Sequence, residues 1–357
     1  MFPARVSLFR RKLSDYNIDS IIFFSMSNIR YFSGFTGSDG VLLITPGKAI
    51  LLVDGRYTAQ AAMELETTNV QIIEYKDKIT GIIQAIADCR LKYIGFEAAF
   101  ITVEMHSKLT KGLSAKKFVP LADELELIRA RKDKQELALM RKAADISSAA
   151  LLSCIGGIMP GITEKDLALQ LELYARASGA DQLAFEPIVA AGENSALPHN
   201  RPTNRKIKNG DFIVIDFGVK YGGYCSDETC TIAFGELTEK QKHIYQIVKD
   251  AHDNALASIK SNIAARDIDH CARSVFTEKY SRYFAHGTGH GVGLEVHEAP
   301  RLASDSNDIL EEKMVVTVEP GLYFPGHWGI RIEDTVLVQE NSCEKLTKMD
   351  KQLITIK

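Results

Sequence analysis

Two pairs of acids in this chain each straddle a turn-forming segment. Asp216 and Asp227 flank Lys220-Tyr221-Gly222-Gly223, and Glu319 and Glu333 lie equidistant from Gly326 in Phe324-Pro325-Gly326-His327-Trp328-Gly329. If each segment closes a hairpin, with a four-residue loop in the first, each acid faces its partner. Directly opposed residues of an antiparallel pair have β-carbons about 4.5–5.5 Å apart. Two carboxylates at that separation repel strongly unless something positive sits between them. Between the hairpins, HGTGHGVGLEVHE (286–298) brings His286, His290 and His297 among four glycines that allow close approach. Four carboxylates and a histidine are too much negative charge for one divalent ion and suit two, with carboxylates bridging them. Two ions about 3.5–4 Å apart activate a shared water and polarise a substrate oxygen, which is hydrolysis without a side-chain nucleophile. No GxSxG elbow or catalytic-cysteine signature competes for that role. A single aspartate in a hairpin is ordinarily a turn former; two facing pairs beside a glycine-histidine segment are a different matter.

The elements that must position these groups are legible in the apolar periodicity. Short β-rich runs at 19–24, 40–45, 49–53 and 70–74 alternate with helical patterns, which predicts an α/β domain over residues 1–122. From Pro120 onward, DELELIRARKDKQELALMRKAADISSAALL reads as one long amphipathic helix opening a second domain, 123–357. There, Thr163 with Asp166 and Thr238 with Gln241 give capping-box starts to helices running to about 178 and 260. The strand pairs DFIVIDFG with YCSDETCTIAFG, and MVVTVEPGLYF with WGIRIEDTVLVQE, predict an antiparallel, hairpin-rich sheet under those helices: an α+β domain. Arg331 lies two residues before Glu333, so on a strand it shares that face and can brace the carboxylate or meet substrate.

Bulk properties narrow the function classes. The 357 residues are 45% hydrophobic and 25% charged, an ordinary globular balance, with a formal net charge of -3. No long Lys/Arg block occurs, so neither a nucleic acid nor an anionic membrane surface is expected as a partner. MFPARVSLFRRK is followed by no apolar stretch of signal length, and no segment approaches a membrane span; a cytoplasmic location is the expectation. The six cysteines are scattered without metal-ribbon spacing and read as reduced packing residues. His106, His243, His252, His270 and His327 read as surface or capping residues.

On these motifs the chain resembles the creatinase, aminopeptidase P and prolidase group of pita-bread metallopeptidases. VIDFGVKYGGYCSDETCT (214–231), HGTGHGVGLEVHE, VTVEPGLYF (316–324) and GIRIEDTV (329–336) resemble the family's metal-binding segments in order and spacing. YFSGFTGSDG (31–40) and LVDGRYTAQA (52–61) are similar to its N-terminal domain. The resemblance implies a creatinase/prolidase-like α/β N-terminal domain and a pita-bread catalytic domain with a curved antiparallel sheet. It implies two divalent ions, commonly Mn²⁺ with Co²⁺ or Zn²⁺ able to substitute, held by Asp216, Asp227, His290, Glu319 and Glu333. It casts Glu319 also as general acid and base, His199 and His297 as groups facing the substrate carbonyl, and His286 as a shuttle or outer-shell residue. Arg301 resembles a prolidase position that takes a dipeptide's terminal carboxylate.

The activity expected is removal of an N-terminal residue preceding proline, from small peptides with proline in second position. The alternatives are an Xaa-Pro dipeptidase restricted to dipeptides, and a non-catalytic peptide-binding module of the same fold. A homodimer is implied by the resemblance alone.

Overall fold

The runs SIIF, VLLI and AILLV are apolar without alternation because they are inner strands of a sheet covered on both faces. A computed structural model describes residues 2–89, 91–122, 125 and 127–356. The chain forms two units, Met1–Ile128 and Arg129–Lys357. In the first, β1 (Ser20–Phe23), β2 (Val41–Ile44), β3 (Ala49–Val53), β4 (Val70–Glu74), β5 (Tyr93–Glu97) and β6 (Lys117–Leu121) form one mixed sheet in the order 4-3-2-1-5-6. Ile22, Leu43 and Ile94 pack with Ile82, Ile86 and Leu109 from helices Lys78–Ala87 and Val103–Gly112. Phe23 meets Phe9 and Phe32 from two other helices, with ring centroids 5.5 and 4.8 Å away. The α/β expectation for this unit holds.

In the second unit, helices Glu164–Ala177 and Glu239–Ser258 begin at the capping boxes read from the sequence. The long helix does not begin near residue 123. It runs Lys134–Gly156, because Asp133 accepts from the Gln135 and Glu136 backbone N–H groups while Glu136 reaches back to Asp133. Leu127–Arg129 is a separate 3₁₀ turn, and Asp123, Glu124 and Glu126 lie outside the described residues. No helix among the described residues is long and apolar enough to cross a membrane.

The helices cover two sheets. One contains β8 (Ile188–Ala191), β9 (Asp211–Phe217), β12 (Glu228–Phe234) and β20 (Thr355–Ile356), with β7 (Gln182–Leu183), β10 (Val219–Tyr221) and β11 (Tyr224–Cys225) extending the first hairpin. The other contains β13 (Gly289–Gly291), β14 (Glu298–Leu302), β15 (Val315–Val318), β18 (Asp334–Val338) and β19 (Cys343–Lys345), with β16 (Gly321–Phe324) and β17 (Trp328–Arg331) continuing the second hairpin. This is the antiparallel α+β architecture expected.

The first hairpin corrects the sequence reading in register. Its loop is two residues, Gly222-Gly223, both with positive φ (57° and 86°), between the paired Tyr221 and Tyr224. A two-residue loop with both centres in the left-handed region twists in the sense that suits a tight hairpin. Asp216 therefore stands opposite Thr229, and Asp227 is its diagonal neighbour. The slip is two residues, so Asp227 keeps its face. In the second hairpin the register is as read: the Gly321↔Arg331 and Val318↔Asp334 pairings lie on either side of Glu319 and Glu333 in one continuous register.

The two hairpins meet along a seam of threonines. The Thr335 hydroxyl donates to the Asp227 carbonyl (2.6 Å), the Thr229 hydroxyl to Glu333 Oε2 (2.6 Å), and the Thr231 hydroxyl to the Arg331 carbonyl (2.7 Å). Each step advances two residues on one hairpin and retreats two on the other, as in an antiparallel pairing carried by side chains. Close approach also places β13 against β15: a β-carbon at Gly289 would lie 2.0 Å from the Thr317 carbonyl oxygen. Gly289→Ala is therefore expected to destabilise the chain by roughly 1–3 kcal/mol, read as a lowered urea midpoint. An unchanged midpoint would show that β13 can move aside freely.

Candidate metal centre

Asp227, His290 and Glu333 each offer one donor atom, and these atoms lie within 4.8 Å of one another. Three different strands supply them: Asp227 precedes β12, His290 is the middle of β13, and Glu333 precedes β18. The ladder of the second hairpin opens at its acids because their N–H groups are used elsewhere. Glu319 donates to the Thr288 carbonyl (2.7 Å) and Glu333 to the Thr229 carbonyl (3.1 Å). Both carboxylates are thereby turned to one space.

Glu319 adjoins the trio, its Oε1 3.4 Å from His290 Nε2, and Asp227 Oδ2 is 3.7 Å from the same nitrogen. Neither contact is an ion pair at neutral pH. Burial, with His297 nearby, pushes His290 down to about 4, leaving a neutral imidazole. Its Nδ1 donates to the Gly291 carbonyl at 3.0 Å, which leaves Nε2 unprotonated with its lone pair directed into the cluster. Asp216 stands near enough that its charge is felt at Asp227, Glu319, Glu333 and His297. Its Oδ2 takes a 2.5 Å bond from Arg331 Nη2, while the buried Oδ1 has no hydrogen-bond partner among the described residues.

Burial, compounded by like charge, raises the carboxyls. Asp227 is raised well above its ordinary range by burial, then by Glu333, Asp216 and Glu319; Glu333 is raised by burial, then by Glu319 and Asp216. Burial lifts Glu319 to about 8 even against the opposing pull of Arg331. An orphaned carboxylate oxygen, three neighbours that resist ionisation and a free imidazole nitrogen fit divalent cations.

The other residues read from the sequence surround this cluster unevenly. Arg331 is buried and takes four partners: Asp216, the Tyr323 hydroxyl (2.8 Å), the Pro198 carbonyl (3.1 Å) and the Thr229 hydroxyl (3.2 Å). Through Pro198 it ties the exposed loop of His199 to the centre. His297 is exposed, its ring centroid 4.4 Å from that of His290. His286 lies behind, its Nε2 2.9 Å from the Tyr323 hydroxyl and its Nδ1 2.7 Å from the Gly287 carbonyl. Arg301 stands across the β13–β14 ladder from His290, but its guanidinium is 63% exposed and pairs with Asp305. Among the described residues it has no polar contact with the cluster. His252, expected at the surface, is buried, 3.3 Å from Asp334, because it sits on the inward stripe of helix Glu239–Ser258.

Sequence reasoning missed Tyr323 and the threonines at 229, 231 and 317. Tyr323 joins Arg331 to His286, and Thr317 accepts from the His290 backbone N–H at 3.0 Å. The alternation of Thr229 and Thr231 on one face of β12 was the available signal.

These shifts give a signed pH dependence for the chelated protein. Carboxyls raised in the fold contribute stability that is complete below their unfolded values and lost as pH rises through the folded ones. Lowered histidines act oppositely up to their unfolded value of 6.5. Between 6.5 and about 8 only the carboxyls remain, with Glu319 titrating near 8. In EDTA the melting temperature is expected to fall across that interval, and added Mn²⁺ should flatten the slope. A level or rising profile in EDTA would mean that the protein's own cations already neutralise the cluster.

Comparison with known proteins gives this cluster a context. Residues 138–340 match metallopeptidase family M24, and residues 5–131 match the creatinase/prolidase N-terminal domain. The solved Xaa-Pro dipeptidase from Bacillus anthracis superposes with a TM-score of 0.95 at 37% identity, covering 99% of both chains. The X-Pro aminopeptidase from Thermotoga maritima MSB8 gives 0.91 at 35% identity, covering 98% of this chain and 99% of its own. An Xaa-Pro dipeptidase of Pyrococcus horikoshii is 36% identical over 340 residues, 95% of each chain. By the length and position of these matches, the chain belongs to metallopeptidase family M24, with a pita-bread catalytic domain behind a creatinase/prolidase N-terminal domain.

Proposed function

We propose that the chain is a manganese-dependent Xaa-Pro dipeptidase, cleaving the bond before proline in dipeptides. The observation that carries the reading is the buried cluster of Asp227, His290 and Glu333 with Glu319 and Asp216 beside it. Asp216, Asp227, His290, Glu319 and Glu333 would hold two divalent ions. When bound, such ions supply Lewis-acid activation of water and of the scissile carbonyl.

The protein's own groups do the rest. Glu319, whose carboxyl takes a proton readily, moves one from the attacking water to the proline nitrogen as that nitrogen leaves. His199 and His297 donate to the carbonyl oxygen as it gains charge. Arg331 pins Asp216, and Tyr323 links Arg331 to His286, so His286 acts by holding that array in place.

The sequence alone favoured an Xaa-Pro aminopeptidase; the relatives named as dipeptidases favour the shorter substrate. Arg301 supports the same choice. It stands one strand from His290, and its exposed, solvent-screened pair with Asp305 is weak, so a dipeptide's terminal carboxylate can displace Asp305. The aminopeptidase reading is retained because the Thermotoga relative carries that name.

Chelated protein given Mn²⁺ is expected to hydrolyse Xaa-Pro dipeptides and to leave Xaa-Pro-Yaa tripeptides largely intact. Asp227→Asn should lose more than the roughly 10- to 100-fold typical of an outer-shell change. Comparable turnover of tripeptides would transfer the assignment to an aminopeptidase. Silence on both, with Mn²⁺ bound, would move it to another amide or to peptide binding.

A further inference from the structure

Two of the carboxylates in the cluster have an acidic residue as their next neighbour in the chain: Asp227 is followed by Glu228, and Glu333 by Asp334. Consecutive residues of an extended strand point to opposite faces. Asp227 and Glu333 converge at the front. Glu228 and Asp334 are fully buried behind them, where an unneutralised carboxylate is expensive.

One buried side chain pairs with both members of the back pair. Lys351 Nζ lies 2.8 Å from Glu228 Oε1 and 3.6 Å from Asp334 Oδ1, and the lysine is itself buried. It thus touches the first hairpin and the second at once, one residue away from a front carboxylate in each. The segment that brings it is fixed on both sides. The Met349 backbone N–H also donates to Glu228 (3.0 Å), the Ser148 hydroxyl takes the other Glu228 oxygen (2.6 Å), and Tyr245 donates to the Lys351 carbonyl (3.1 Å). Asp334 is completed by Thr347 (2.7 Å), Lys345 (3.2 Å) and His252 (3.3 Å). Lys345 is half exposed, whereas Lys351 is the only buried cation within ion-pair distance of both acids among the described residues.

We propose that Lys351 is a positioning residue for the metal centre: by bridging Glu228 and Asp334 it clamps the two hairpins from behind and sets how closely Asp227 and Glu333 approach in front. The inference rests on the metal-centre reading above. Removing the lysine leaves buried Glu228 without its ion-pair partner and Asp334 with only the half-exposed Lys345, and breaking a buried pair from one side is far costlier than exchanging the whole pair. The strands relax by moving those carboxylates apart, and the front acids, one residue along each backbone, move with them.

The test is calorimetric titration of Mn²⁺ into chelated wild type, Lys351→Met and Glu228→Gln, each at a temperature where circular dichroism shows it folded. Both variants are expected to bind Mn²⁺ at least ~10-fold more weakly, the range typical of losing an outer-shell partner. The Mn²⁺ concentration for half-maximal peptidase activity should rise by the same factor, while kcat at saturating Mn²⁺ returns close to wild type because every ligand is intact. A folded Lys351→Met protein that melts early yet titrates like wild type would make the lysine merely structural and overturn the proposal. Should Lys351→Met not fold, Glu228→Gln decides alone: weaker binding supports the clamp, unchanged binding overturns it. Absence of Mn²⁺ uptake by the wild type would overturn the metal-centre reading and the clamp with it, a result distinct from failure of the clamp alone.

Discussion

Like charges crowded into a dry space are the constraint around which the catalytic unit is built. Asp227, Glu319 and Glu333 resist ionising together there unless positive charge is supplied. The chain supplies some of it. Arg331 is committed to Asp216, and burial keeps His290 neutral, so the imidazole adds a donor without adding charge. What remains uncompensated is the part a divalent cation would answer, as the metallopeptidase family implies. Antiparallel hairpins, with short loops and side chains standing across the ladder, are an economical way to hold acids against their own repulsion.

The neighbouring elements serve that arrangement by fixing backbone. Thr288 receives the Glu319 N–H, and Asp269 in turn receives the Thr288 N–H (3.1 Å) and hydroxyl (2.8 Å) from helix Ala265–Arg273. Arg273 pairs with Asp269 at 2.6 Å and donates to the Phe284 carbonyl at 3.2 Å, so one helix end governs the approach to the glycine-histidine segment.

Much of this was legible in the sequence. Apolar runs with their turn residues located every strand of the N-terminal sheet from β1 to β4, and the capping boxes at Thr163 and Thr238 located two helix starts. The acids of both hairpins could be placed on one face because parity survives a slip of two. The slip itself was not legible, since whether a KYGG segment forms a four-residue or a two-residue loop depends on the strands closing up to Tyr221 and Tyr224. Asp133 makes the long helix begin later than the periodicity suggests because a cap competes locally with periodicity, and a periodic pattern carries no record of that competition. Tyr323, the threonine seam and Lys351 depend on contacts between residues as much as 123 positions apart, which no local pattern encodes.

The doubled acids at 227–228 and 333–334 have a consequence for how the strands find their alignment. Sliding either strand by one position would still leave one carboxylate on each face, displaced by one place, so the number of charges per face does not by itself distinguish the correct alignment from its nearest error. Threonine does. Thr229 and Thr231 recur at alternate positions, and a one-step slide would bring Glu228 and Cys230 to the seam in their place, where no hydroxyl is available to bridge the two hairpins. Chemistry here is written in the acids, and spelling is kept by the small hydroxyl residues between them.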